Sequence, residues 1–249
     1  MSSSRDGAAA PGLYKPAATT RAGFVQLETL AGRGPQGDPR PAPDAPAQAS
    51  PPAPAVHILA SPVAAAPAPL PPPEAMTVVD FWSEAGPELW FAKDADFDRR
   101  FRDYFLGLHE AAARGECVHW AVTPHGALAL LLLLDQFPRN AFRDTPRMYA
   151  TDALARHVAD AAITAGHDRT VEPALQVFFY LPFGHAEDLA DQQRATSLCR
   201  RLGEPNAAHA QRHHDIVKRF GRFPHRNPIL GRTMTAEEQR YLDEGGYTG

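Results

Sequence analysis

Sixteen of the chain's 25 prolines fall within its first 75 residues. No other feature restricts the fold as much. Proline has no amide hydrogen to donate, fixes its own φ, and pushes the residue before it away from helix. Runs such as "PRPAPDAPAQASPPAPAV" and "PVAAAPAPLPPPEA" alternate proline with alanine and hold few large apolar side chains. Five basic and five acidic residues cancel across the same stretch. Burial cannot offset ordering entropy in such a segment, so residues 1–75 are expected to form a disordered or polyproline-II-like tail. Its patch "GFVQLETLAG" offers at most a transient helical turn. The tail reads as a linker, or as the product of a start codon assigned too early, and the folded part is expected to open at Met76.

From residue 76 to 249 the pattern is helical. "DADFDRRFRDYFLGLHEAAARG" repeats large apolar residues every three or four positions and stops at Gly115. Thr123 with Pro124 marks a helix start before "ALALLLLL", as Thr145 with Pro146 does before "RMYATDALARHVADAAITAG", where Asp152 restarts the helix after a short break. "VEPALQVFFYLPF" predicts a short apolar helix ending before Pro182. "EDLADQQRATSLCRRLG" and "PNAAHAQRHHDIVKRFG" predict two more, each closed by glycine. Thr235 and Glu238 have the spacing of a capping box. No alternating strand pattern competes. The expected fold is therefore all-α, with about seven or eight helices.

Several function classes are excluded by totals. With 25 Lys and Arg against 29 Asp and Glu, the net charge of −4 argues against nucleic-acid binding. Cys117 and Cys199 lack any CxxC partner, which argues against a cysteine zinc site or a disulfide framework and fits a reducing cytoplasm. The longest apolar run, residues 127–134, is far too short to cross a membrane and reads as core, and no signal peptide opens the chain. No cofactor fingerprint, nucleophile elbow or phosphate-cradling glycine loop is present. Trp82 and Trp90 read as core residues.

Two stretches could carry chemistry. The first lies between Arg212 and Arg232, where six Lys or Arg residues and three histidines meet one acid, Asp215. Either these arginines pair with acids from elsewhere, such as Asp135, Glu187 or Asp188, or they hold an anion in the bidentate fork that suits carboxylate and phosphate. Within it, "FPHRNPILGR" echoes "FPRNAFR" of residues 137–143. In each, proline is expected to force the preceding Phe out of helix. The second stretch, "YLPFGHAEDLADQQ", crowds Tyr180, His185, Glu187, Asp188 and Gln192. Glu187 and Asp188 are expected in the first turn of a helix, where acids complement its dipole. A functional reading joins His185, Glu187, His213 or His214, and Asp215 as an acid–base pair or metal site. No HExxH or HxH signature supports a metal, so none is assigned. His214-Asp215 has the HD pairing of a class of helical phosphohydrolases, on two residues only.

Together, "VVDFWSEAGPELWF", "ALALLLLLDQFPRNAFR", "FFYLPFGHAEDLADQQ" and "HHDIVKRFGRFPHRNPILGR" resemble the bacterial family catalogued as domain of unknown function 924, over residue 76 to about 242. The resemblance implies a tetratricopeptide-like stack of antiparallel helices around a concave face, and implies no activity. Its polar positions fall here on Asp135, Gln136, Arg139, Asn140 and Arg143; on Tyr180, His185, Glu187 and Gln192; and on His213, Arg219, Arg222, His225, Arg226, Asn227 and Arg232. His213, not His214, fills the family's histidine position, which weakens the HD reading. Gly184 and Ala186 depart from the family's acid-His-Ser-Glu run.

The expected function is thus a helical binding or scaffold protein. Its groove would recognise an anionic small molecule or an acidic peptide through Arg139, Asn140, Arg143, Tyr180, His185, Glu187, Arg222, His225, Arg226, Asn227 and Arg232. No nucleic acid, membrane or cofactor is expected. The alternative is a hydrolase of phosphorylated substrates, metal-assisted or using His185, Glu187 and His213 as acid and base.

Overall fold

The computed structural model describes residues 69–249. The expectations for the proline-rich stretch up to residue 68, including its "GFVQLETLAG" patch, lie outside the described residues. Within them the chain is helical, with no strand. Ten α-helices follow one another: α1 Pro73–Ala85, α2 Pro87–Trp90, α3 Ala95–Ala113, α4 Pro124–Leu131, α5 Phe137–Ala141, α6 Asp152–Thr164, α7 Leu181–Gly184, α8 Leu189–Arg200, α9 Asn206–Phe220 and α10 Ala236–Asp243. Seven of them have eight or more residues, in line with the number read from sequence. None of the described helices is long and apolar enough to cross a membrane.

The start and stop signals act as sequence chemistry requires. Thr123 accepts a hydrogen bond from Gly126 N at 3.2 Å with Pro124 beside it. Thr235 and Glu238 close a reciprocal capping box. Gly221 ends α9 at φ 69°, a left-handed conformation that a Cβ would strain. α1 begins at Pro73, ahead of Met76, and buries Ala75, Val78, Val79 and Trp82. Its aromatic end is fixed by Trp90, which stacks on Trp82 at 6.3 Å and donates its indole N–H to Trp82 O.

Residues Ala127–Leu134 are at most 2% exposed and form the centre of the core, with α1 and α6 packed on α4. A second, smaller apolar cluster gathers Ile216, Val217 and Phe223 with Phe220, Tyr241 and Tyr247.

Local departures from expectation have clear causes. Pro138 does not end its helix: Phe137 keeps helical angles (φ −52°, ψ −48°), because Leu132–Gln136 widens into a π turn whose bond runs from Phe137 N to Leu132 O. α4, the π turn and α5 are therefore contiguous. The carbonyls released there are taken by side chains. Thr151 donates to Leu134 O, His109 Nδ1 lies 2.9 Å from Leu133 O, and Arg139 donates to Asp135 O. At the echoing position Phe223 is extended, as expected before proline (φ −92°, ψ 110°). Residues Pro173–Phe179 form a 3₁₀ helix instead of an α-helix, and Pro182 lies inside the first turn of α7 instead of beyond a helix end. Glu187 and Asp188 precede α8. Asp188 is its N-cap, accepting from Asp191 N at 2.9 Å, and Glu187 is drawn away by Arg232.

Candidate functional site

The loops after α5 and α7 and parts of α8 and α9 border a cavity of about 410 Å³. Its lining draws on both apolar clusters, with Val177, Ala195 and Cys199 from one and Phe223 and Tyr247 from the other. Five cations line it, Lys93, Arg139, Arg143, Arg212 and Arg226, against one acid, Asp144. Lys93 and Arg212 are exposed and make no ion pair among the described residues.

One side of the cavity is built on the π turn. That turn places Asp135 and Gln136 where α4 would otherwise end, 1% and 5% exposed. Gln136 donates to Asp135 Oδ2 at 2.6 Å, and His185 Nδ1 lies 2.8 Å from Asp135 Oδ1. Arg139 sits 3.2 Å from the same carboxylate and forms a bidentate pair with Asp152 at 2.9 and 3.1 Å. Burial works against ionising Asp135, but Arg139 and His185 outweigh it and hold the carboxyl at about 2. Burial, then the charge of Arg139, pulls the His185 imidazole below its usual value, so it is neutral at pH 7. Because ionised Asp135 can only accept, the proton of neutral His185 resides on Nδ1 and Nε2 carries the lone pair.

Arg226 adjoins this network. Its guanidinium lies between the rings of Tyr149 and Phe223, at 4.5 and 4.6 Å, and donates to His185 O at 2.9 Å. The residue is 7% exposed, its nearest acid is Asp152 at 3.6 Å, and its Nε has no partner. Burial and neighbouring Arg139 make it less basic than an ordinary arginine. His213 and His225 lie beside Tyr247, with ring centroids 4.8 and 5.2 Å from it. Burial, reinforced by His185, lowers His213 to about 3; burial, reinforced by Arg226, lowers His225 to about 4.

The structure brings Arg139, Asn140, Arg143, Tyr180, His185, His213, His225 and Arg226 together at this cavity. Several of them also have internal partners. Arg143 and Asn140 both bond Asp98, at 2.9 and 2.7 Å, and Tyr180 donates to buried Asp168 at 2.7 Å. Glu187, Arg222, Asn227 and Arg232 do not line it. Arg232 grips Glu187 at 2.6 and 2.9 Å, and Glu187 also accepts from Phe223 N. Arg222 grips Glu238 at 2.6 and 2.8 Å. Asn227 is fully buried beneath that loop. Three arginines of the basic stretch, Arg219, Arg222 and Arg232, are thus matched by acids; Arg212 borders the cavity exposed and without an ion pair among the described residues, and Arg226 borders it buried with an incomplete set of partners. His214 and Asp215 bond one another on α9, away from the cavity. Among the described residues no three His, Cys, Asp or Glu side chains converge as metal ligands. Asp152, Tyr149 and Tyr247 went unread in the sequence as site residues; each lies in a separate element, and no local spacing marks them.

Comparison with known proteins agrees with the motifs. The solved structure of a protein of unknown function, ATU0120 from Agrobacterium tumefaciens, is 59% identical, covers 69% of this chain and 98% of its own, and superposes with a TM-score of 0.68. No curated protein matches. Residues 78–246 match the family described as "Bacterial protein of unknown function (DUF924)", and the chain belongs to that family.

Proposed function

We propose that this protein binds a small anionic molecule in the cavity, with a carboxylate or phosphate against Arg226 and an apolar body against Val177, Ala195 and Phe223. The observation that carries this reading is Arg226 itself. A guanidinium this deep normally has a close carboxylate, because a buried charge without one is costly. Here the nearest acid is 3.6 Å away and already shared with Arg139. Arg139 and Arg143 are matched by Asp135, Asp152 and Asp98, so the added positive field comes from Lys93 and Arg212, which make no ion pair among the described residues. A volume of about 410 Å³ suits a small molecule. In the same reading, α8 and α9, which pack on each other, form one hairpin of a tetratricopeptide-like stack whose concave side holds the ligand.

The test is thermal melting of the full chain with inorganic phosphate, succinate, nucleotides and an acidic peptide. A ligand at about 100 times its dissociation constant stabilises by about 2.7 kcal/mol, a readily measured shift. Melting that is unmoved by all four classes overturns the reading.

A further inference from the structure

We propose that the cavity is catalytic, with His185 as the general base of a water-dependent cleavage of a carboxylic ester that carries a second, anionic group. The inference rests on the anion-binding reading for its substrate class and on a separate set of contacts for its chemistry. His185 is oriented as a base must be. Its Nδ1 is pinned to Asp135 at 2.8 Å, Asp135 is itself pinned by Gln136 and Arg139, and Arg139 is pinned by Asp152. The ring lines the cavity, and its Nε2 has no hydrogen-bond partner among the described residues. Charges near the ring are Asp135, Arg139, Asp152 and Arg226, with neutral His213 6.2 Å away. A carboxylate holding the far nitrogen of an imidazole fixes its tautomer and stabilises the imidazolium that forms during proton transfer.

The reaction class follows from what else lines the space. No serine does, and burial pushes the thiol of the lining Cys199 up to about 11, which keeps it protonated, so water is the nucleophile. A base-activated water adds readily to a trigonal acyl carbon. A phosphate monoester gains far less from a base, because its transition state is loose and depends on positioned cations around the transferring group. In the proposed step Nε2 takes a proton from water while the water oxygen bonds to the carbonyl carbon. The carbonyl π pair moves onto oxygen, which faces the same Arg226 guanidinium that holds the substrate's anionic group and that donates to the main chain of His185. The tetrahedral adduct then expels the alkoxide, and that oxygen recovers the proton from Nε2–H. Carboxylate, alcohol and one solvent proton are the products, with no other co-reactant.

The experiment uses the full chain with the 4-nitrophenyl monoester of succinic acid, and the neutral 4-nitrophenyl butyrate as comparison. Expected are many turnovers per protein, competition by succinate, and a rate that rises with pH through a single ionisation below the usual imidazole value. His185→Gln, which retains shape and a polar end, should lose about 10²–10⁴-fold in kcat, the span of general-base catalysis. His214→Ala, away from the cavity, should turn over like the parent, and melting curves establish that both variants are folded. Equal rates for the parent and His185→Gln, or cleavage limited to one equivalent, overturn the proposal. Calorimetry with succinate separates the two readings: binding without turnover sinks catalysis alone, whereas turnover with no preference for the anionic ester sinks the anion site alone. If neither binding nor turnover occurs, both fall.

Discussion

His185 Nδ1 and Asp135 Oδ1 meet at 2.8 Å across 50 residues of sequence, and the acid is 1% exposed. Two unrelated breaks in helix geometry make the contact. A π turn carries Asp135, and the end of single-turn helix α7 carries His185. The pair and its arginine form one network, so the loss of any member leaves the others buried and unmatched.

Asp135→Asn is expected to cost about 3–5 kcal/mol, the typical penalty when one partner of a buried ion pair is removed. The amide can still bond His185, but it offers Arg139 no charge. Urea unfolding of the variant against the parent measures this directly. A loss below about 1 kcal/mol would mean that Asp152 alone satisfies Arg139.

Stability should fall on mild acidification, and the histidines set where. His213 and His225 are held at about 3 and about 4, below the usual imidazole value, chiefly by burial. The unfolded chain therefore takes up protons below about pH 6.5 that the folded chain refuses, so stability rises with pH in that range. At pH 5 each histidine accounts for about 2 kcal/mol, from about 1.4 kcal/mol per pH unit over the interval below its unfolded value. Asp135, held at about 2, adds a further loss only as pH falls below about 3.8. Urea titrations at pH 7.5 and 5.0 should differ accordingly, and His213→Gln should flatten the difference. A pH-independent midpoint would show that both rings titrate normally.

Much of this fold was legible because its signals are local. Helix periodicity, Thr-Pro starts and glycine stops each act within a turn, and the Thr235–Glu238 capping box appears as read. Pro138 was misread for an equally physical reason. Whether a proline ends a helix depends on whether anything else can take the carbonyls it cannot serve. Thr151, His109 and Arg139 do so from elsewhere in the chain. The site was legible by composition and not by pairing. The excess of arginine pointed to residues 212–232, yet nothing in that stretch reveals that Glu238 claims Arg222 and Glu187 claims Arg232. Pairing is a long-range property, and it decides which arginine can face a ligand.

Tyr180→Phe tests whether a cavity-lining hydroxyl serves the fold or the ligand. Its O–H donates to Asp168, which is fully buried and has no partner for its other oxygen. Removing the hydroxyl strands that carboxylate, at about 1–3 kcal/mol. The ring itself remains, so the phosphate or succinate affinity of the folded variant should be unchanged. Calorimetry on the variant checks this, and a tenfold loss of affinity would transfer the hydroxyl to the ligand.

The arginines of the "FGRFPHRNPILGR" loop should separate into two classes by measurement. Arg232 and Arg222 each hold one carboxylate with two charge-assisted bonds, a geometry that lysine cannot reproduce. Arg232→Lys is expected to lose about 1–2 kcal/mol of stability, and Arg222→Lys to melt lower than the parent, both with ligand affinity kept within about twofold once folded, since neither borders the cavity. Arg226→Lys should behave differently. Lysine keeps the charge, but it loses the flat contact with Tyr149 and Phe223 and the directed N–H groups. Affinity of the folded variant for the anion should fall by tenfold or more, a loss that neither outer-loop variant shows. Calorimetric titration of all three variants with one ligand, alongside their melting curves, decides the assignment. If Arg222→Lys or Arg232→Lys loses affinity as Arg226→Lys does, the ligand sits on the outer loop and not in the cavity.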